Sequence, residues 1–350
     1  MYWRIIENHT GLTYRKKIYK EMLGSKNPLF DDEAEIQLEK YGKKNYQFNE
    51  GHYKVGVTGF DAFVENVYLE PRFFILIKRP NNLIKESIVF DWYRISVKEY
   101  LYSLFIFNYK KIDEAVVFDA YNGLNIFHFY NDILPKLFIK SKEYLNKPYL
   151  ISEELYHSNL FQHFLKFVFV NKIKWRIVKK QEYLSVKKAI LIKPCEYNFT
   201  SLKKIADYAL NECPRSIKRL KIFINRKEQT GRTISNFGKL EPILKENNFV
   251  IIYLEDLCIS KQIEYFSRAE LIVGIHGAGL TNIIFSYKNK PTIVEITASD
   301  YIPTHYYWLS HAFQFNYHLF LGDKLQYTKA EKTTFGVDEQ RLGKILSTFN

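Results

Sequence analysis

The chain has 350 residues, 47% of them hydrophobic, enough for two domains that each bury a core. Lys and Arg number 51 against 38 Asp and Glu, a net charge of +13 that suits anionic partners: a nucleotide diphosphate, an anionic membrane surface or nucleic acid. Cys195, Cys213 and Cys258 are widely spaced, which excludes a disulfide framework or a zinc module and points to a reduced, cytoplasmic setting.

At the start of the chain, charges appear before any apolar run of signal-peptide length develops. No later stretch reaches transmembrane length either; residues 164–170 are too few and include Lys166. The expectation is a cytoplasmic protein that meets any membrane-bound acceptor from the inner face. Residues 11–50 read as polar and irregular, with a solvated acidic cluster at 31–35. Over residues 55–117 short apolar runs, such as Phe73-Phe74-Ile75-Leu76-Ile77 and Ala115-Val116-Val117-Phe118, alternate with loops, and 96–107 fits helix or strand.

Residues 125–140 space Ile126, Phe127, Ile133, Leu134, Leu137 and Phe138 as a helix does, restarted near Pro135. Within that stretch His128 and Asp132 stand four apart and share one face if the turn is helical. An imidazole titrates near neutrality and suits a general base; the carboxylate either does that work alone or holds the ring in one tautomer. A structural His–Asp pair has the same spacing. Helical periodicity continues over 152–170, and Lys- and Val-rich strands follow over 172–192.

The pattern breaks at Lys193-Pro194-Cys195, where a domain boundary is expected. Beyond it, Leu202, Ile205, Ala206 and Ala209 share one face of a helix over 201–211. Strands are then expected at 222–225, 250–254, 271–275 and 292–296, and helices at 240–247, 260–268 and 280–287. Such alternation means a parallel sheet with helices on both faces, a Rossmann-like half.

Two junctions in that half carry chemistry. Ile222-Phe223-Ile224 runs into Asn225-Arg226-Lys227, with Arg232 behind Gly231. Two planar, permanently charged guanidiniums past a strand end suit a diphosphate, although solvated loop cations are the plainer reading. Leu271-Ile272-Val273 runs into Gly274-Ile275-His276-Gly277-Ala278-Gly279-Leu280-Thr281-Asn282, a small-residue turn at a helix start whose free amides favour an anion. Glycines of this kind also serve simply to pack helix on sheet. Open α/β sheets bind ligands beyond the carboxyl ends of their strands, where both junctions are expected. His276 is placed at the lip, and Glu295, near the end of the next strand, as a ribose or donor-sugar contact. Residues 301–313, with His305 and Trp308, read as a helix walling the cleft, and 338–346 as a helix crossing back to the first domain. No Asp-x-Asp occurs, so no metal site is expected, and the guanidiniums and the helix start are left to stabilise a leaving diphosphate.

In order, Phe127-His128 with Asp132 and Leu134-Pro135, Ile224-Asn225-Arg226, Arg232 with Asn236, Leu254-Glu255-Asp256-Leu257, Gln262 with Phe266, the stretch from Val273 to Asn282, and Val294-Glu295-Ile296 resemble glycosyltransferase family 61 over residues 115–320. The chain departs from that pattern at Thr233 after Arg232, at Phe237 after Asn236, and at Asn289-Lys290-Pro291, where a Pro-Gly turn is common. The resemblance implies an α/β fold of GT-B type, two Rossmann-like domains facing a central cleft. Residues 1–193 would bind the acceptor, 194–335 the nucleotide sugar, and 336–350 would form a helix packing back on the first domain. It implies an inverting, metal-independent transferase that moves a sugar from a nucleotide sugar, UDP-linked by preference, to a glycan or lipid-linked glycan in capsule or lipopolysaccharide synthesis. No cofactor beyond the donor is implied. His128 and Asp132 are then the catalytic candidates, and Arg226, Arg232, His276, Gly277, Ala278, Gly279, Leu280, Thr281, Asn282 and Glu295 the donor-binding ones. The alternatives are a nucleotide-sugar-binding protein without catalysis, against which the His128/Asp132 pair speaks, and a nucleic-acid binder, for which no RNA or DNA motif is found.

Overall fold

A computed structural model describes residues 14–23, 29–30, 55–78, 82–84, 87, 109–120, 122–138, 144, 146–212, 218–227, 231–327 and 333–349. The acidic cluster at 31–35 and the segment 96–107 lie outside the described residues. The chain divides into two compact units, Met1–Glu21 with Val57–Asn198 and Met22–Gly56 with Phe199–Asn350. The sequence break at 193–195 thus falls just before the main division, but residues 22–56 belong to the second unit and not to the first. Residues 11–50 also hold two strands. Strand β1 (Tyr14–Leu23) pairs with the first unit's sheet and β2 (Leu29–Phe30) with the second's.

The first unit is organised on β3 (Val55–Glu70), β4 (Ile75–Lys78), β5 (Asn82–Leu83), β6 (Lys110–Val117), β7 (Tyr149–Ser152), β8 (Trp175–Val178) and β9 (Leu184–Lys193). They lie in the order β5-β4-β3-β9-β6-β7-β8, with β1 also beside β3. Strands β9, β6, β7 and β8 are parallel, while β3 joins β9 and β4 antiparallel. Val64, Val67, Leu69, Ala115, Leu150 and Val186 are among the residues of its core. From β6 the chain builds outward through β7 to β8, then returns to place β9 on the other flank of β6. A reversal of that kind opens a crevice beyond the carboxyl ends of β6 and β9.

The helix expected over 125–140 forms as three different turns: α1 (Ile126–His128), a π-helical turn (Phe129–Ile133) and a 3-10 turn (Leu134–Leu137). Pro135 sits at the start of the last of these, where its missing N–H is tolerated. In place of one helix over 152–170 there are three, α2 (Glu153–Tyr156), α3 (Asn159–Leu165) and α4 (Val168–Asn171). The hydroxyls of Ser152 and Ser158 accept from the Leu155 and Phe161 amides, each at 3.1 Å, so that each serine starts a helix and Ser158 marks the first break.

The second unit alternates strand and helix: α5 (Phe199–Asn211), β10 (Leu220–Asn225), β11 (Thr233–Ile234), α6 (Phe237–Glu246), β12 (Phe249–Tyr253), α7 (Ile259–Arg268), β13 (Ala269–Ile275), β14 (Thr292–Ala298), α8 (His305–Ala312) and β15 (Asn316–Gly322). Its main sheet runs β12-β10-β13-β14-β15-β2, and every pairing in it is parallel. The apolar runs Ile222-Phe223 and Ile272-Val273 are buried, as strands covered on both faces require. Here the order reverses between β10 and β13. The sequence reading leaves out β15, the strand on which β2 docks. The helix expected at 280–287 is a 3-10 run, Ala278–Ser286. A small sheet joins β11 to β16 (Gln326–Tyr327) and β17 (Thr333–Phe335).

The C-terminal helix α9 (Glu339–Ser347) belongs to the second unit. Asp338 caps it by accepting from the Arg341 amide at 2.9 Å. Its apolar stripe, Leu342 and Leu346, enters the second unit's core with Leu240 and Leu244 of α6. Two leucines one turn apart find a matching pair on a neighbouring helix of the same unit, and that burial decides the packing. Replacing the fully buried Leu346 by Ala should therefore cost about 2–5 kcal/mol and lower the urea midpoint. An unchanged midpoint would mean that α9 does not belong to that core.

Candidate functional site

In the second unit, β10 and β13 lie side by side with Ile224 opposite Gly274, so the residues just past each strand end are neighbours. Arg226 follows β10, and His276 and Gly277 follow β13. A Cβ on Gly277 would lie 2.9 Å from Arg226 Nη1 and 3.2 Å from its Cζ, so the guanidinium fills the space that a side chain would take. Arg226 Nη1 also donates to the His276 carbonyl at 3.3 Å. Burial disfavours the Arg226 charge most, and the Arg232 charge opposes it next, while Glu255 and Tyr306 favour it. Arg232 lies over the Tyr301 ring, 4.3 Å from its centroid, and has no ion pair among the described residues. Two guanidiniums are thus held close enough to repel one another at the mouth of the switch-point crevice, an arrangement that a bound anion would relieve.

The remaining residues of the glycine corner divide between site and scaffold. His276 is buried and its Nδ1 is hydrogen-bonded to Glu295 Oε1. Its amide donates to the Ile296 carbonyl at 2.8 Å, and its ring lies against Tyr301 and Tyr306, with centroids 5.5 and 5.2 Å away. Glu295 is 0% exposed, and Tyr317 O–H donates to its other oxygen at 2.6 Å. The expected ribose contact by Glu295 is therefore corrected: both of its oxygens are engaged inside the protein, and its role is to fix the His276 ring. Burial, then the Glu295 charge, push the Tyr317 phenol well above its usual range, so it stays a donor.

Leu280, Thr281 and Asn282 are likewise buried beneath the turn. Leu280 packs toward Gly274, and Asn282 Nδ2 donates to Gln262 Oε1 at 2.9 Å. Gln262 in turn donates to the Leu254 and Leu257 carbonyls, both at 3.0 Å, which pins the start of α7. A Cβ on Gly279 would collide with Leu254. Gly274 and Gly279 thus serve packing, Gly277 makes room for Arg226, and only Ala278 and Gly279 of this turn are partly exposed. Asn236, quoted with Arg232 in the sequence pattern, ties its loop to the segment before α9, donating to the Val337 carbonyl at 2.7 Å and accepting from the Val337 amide at 3.0 Å.

The first unit holds the other cluster, at the reversal between β6 and β9. His128 Nδ1 lies 2.7 Å from Asp132 Oδ2, the pair meeting across the junction of α1 and the π-helical turn. Such turns are rare and concentrate at functional sites. Asn125 fixes the start of α1 by accepting from the Phe127 amide at 2.9 Å. Nδ1 is thus committed to the carboxylate, and both side chains remain partly exposed.

Two further groups belong to this cluster and were missed by the sequence reading. Lys136, buried under the 3-10 turn, donates to the Phe118 carbonyl at 2.8 Å; burial brings its ammonium down to about 8 against the pull of Asp119 and Asp132. Glu196, just past β9, has its carboxyl pushed up by desolvation and by the Asp132 charge, against Lys193 and His128. Next to it, the buried Tyr197 adopts a left-handed backbone, φ +54°, and its ring meets Phe127 at 6.1 Å. The break at Lys193-Pro194-Cys195 marked this strand end in the sequence, but only the sheet order brings it beside His128.

Residues 126–294 match the glycosyltransferase 61 family model, a span from α1 to β14 that contains both clusters. The chain is a glycosyltransferase, similar to that family over those residues. No curated protein matches it. Among the described residues of the transferase, no helix is long and apolar enough to cross a membrane.

The buried Lys136 gives the transferase a testable pH signature. Burial holds the ammonium at about 8, below the usual 10.5 of a lysine, so the unfolded chain holds more protons between the two. The cost of burying this charge is therefore full below pH 8 and fades as pH rises toward 10.5. The stability difference between the parent and Lys136→Met should change by up to about 3 kcal/mol across that window in urea titrations. A difference that stays flat would show that Lys136 is not buried as a cation.

Proposed function

We propose that this transferase moves a sugar from a nucleoside-diphosphate donor, UDP-linked by preference, to a glycan hydroxyl with inversion at the anomeric carbon. The observation that carries the reading is the Arg226 guanidinium seated against Gly277, beside Arg232, at the point where the second sheet reverses its strand order. Paired planar cations at a switch-point crevice match a pyrophosphate in both charge and shape. The second unit is accordingly read as the donor side of a GT-B enzyme and the first as the acceptor side.

In the reaction the acceptor oxygen attacks the anomeric carbon on the face opposite the diphosphate. His128 Nε2 takes the hydroxyl proton while Nδ1–H stays on Asp132, which makes Asp132 the orienting carboxylate and His128 the base. The bond from the anomeric carbon to the diphosphate oxygen breaks, and Arg226 and Arg232 receive the charge that departs with it, so no metal is required. The excess of 13 positive charges favours peripheral contact with an anionic membrane face, where a lipid-linked glycan acceptor of capsule or lipopolysaccharide synthesis would be met from the cytoplasm.

Arg226→Ala should weaken UDP binding about tenfold or more in calorimetry, with a loss that shrinks as salt is raised. Gly277→Ala should do the same by displacing the guanidinium while leaving thermal stability near the parent's. Parent-like UDP affinity in both variants would move the diphosphate elsewhere. His128→Ala should cut turnover by about 10²–10⁴-fold with UDP binding intact, and activity should survive EDTA. Transfer at the parent rate without His128 would remove it as the base, and strict dependence on magnesium or manganese would overturn metal independence.

A further inference from the structure

Beyond the carboxyl ends of β6, β7 and β8, the first unit encloses a cavity of about 870 Å³, within the range of small-molecule sites. Its walls are preformed by two buried carboxylates that hold backbone. On one side Glu70 accepts from the Phe73 amide at 2.8 Å, the Arg72 amide at 3.1 Å and Arg72 Nε at 2.6 Å. This locks a turn in which Phe74 is forced into a left-handed backbone, φ +55°. On the other side Asp119 accepts from the Ala120 amide at 2.7 Å, the Ser152 amide at 3.1 Å and the Ser152 hydroxyl. Gly123 closes over Asp119 so tightly that a Cβ there would lie 2.5 Å from Oδ1, and Asn122 before it is also left-handed, φ +64°. Strained non-glycine residues on both walls mark a shape that the surrounding structure enforces.

The lining fits a saccharide. Phe73 and Leu124, the latter 45% exposed, offer apolar surface for the flat face of a pyranose ring, and Asn122, Asn125 and His157 offer hydroxyl partners. Glu153 and Glu154 are exposed at the rim and have no ion pair among the described residues, while Arg72 Nε is committed to Glu70. Arg72 and Lys180 lie on the same lining and offset those carboxylates, so the entrance suits an uncharged ring. Asn125 both lines this cavity and caps α1, and His128 lies three residues further on, a rise of about 4.5 Å.

We propose that this cavity seats the acceptor, gripping neutral sugar rings between Phe73 and Leu124 so that the next hydroxyl is offered to His128. The proposal deepens the reading of the first unit as the acceptor side and rests on it. The test is saturation-transfer NMR on the full chain with the methyl glycosides of glucose, galactose, xylose and N-acetylglucosamine, and with maltose, lactose and cellobiose. At least one should bind, with affinity lowered about tenfold in Phe73→Ala and several-fold in the surface variant His157→Ala, while UDP affinity stays at the parent value in both. No binding by any of the seven sugars, or binding that both variants leave unchanged, overturns it. Sugar binding that passes the variant test in a chain that fails to bind UDP would sink the donor reading and leave this site standing.

Discussion

The Arg226 guanidinium lies where a side chain on residue 277 would be, and much of the second unit is arranged so that it can. A long cation can lie flat at a strand end only if the neighbouring strand leaves that space empty and supplies a carbonyl to hold it. The parallel register of β10 and β13 provides both, since it brings the His276 carbonyl within reach of Nη1. The register itself follows from the buried runs around Phe223 and Val273, which would lose their core contacts if either strand slipped. Packing energy thus determines where the charge sits.

Buried carboxylates do a related job elsewhere. Glu295 gathers the His276 imidazole and the Tyr317 hydroxyl, Asp119 gathers the backbone after β6 with the end of β7, and Glu70 gathers a turn after β3. Each is buried and each is filled by donors, so none is available to a ligand. Leaving any of their partners unpaired would be costly, which gives these junctions one geometry each. Asp132 is the contrast: it is partly exposed and bonded to one imidazole nitrogen.

The parallel strands of both sheets reverse their order once, between β6 and β9 in the first unit and between β10 and β13 in the second. Each reversal has collected a set of polar groups with distinct character. His128, Asp132, Lys136 and Glu196 gather in the first unit, and Arg226 and Arg232 place two positive charges together in the second. The glycosyltransferase match spans both.

Local spelling alone determined the alternation of strand and helix after residue 218, the buried face of α5, the two strand-end junctions, and the His128/Asp132 spacing, because these depend on periodicity and on residues within one or two turns. It did not distinguish the α, π and 3-10 turns around Pro135, nor the serine caps that divide 152–170. Glu295 has the sequence position of a ligand contact, but the fold buries it between His276 and Tyr317. The attachment of β2 to β15, the docking of α9 on α6 and the arrival of Glu196 beside His128 lay beyond any local pattern. Each is set by which apolar surface is left uncovered once the sheets form, and that competition exists only in three dimensions.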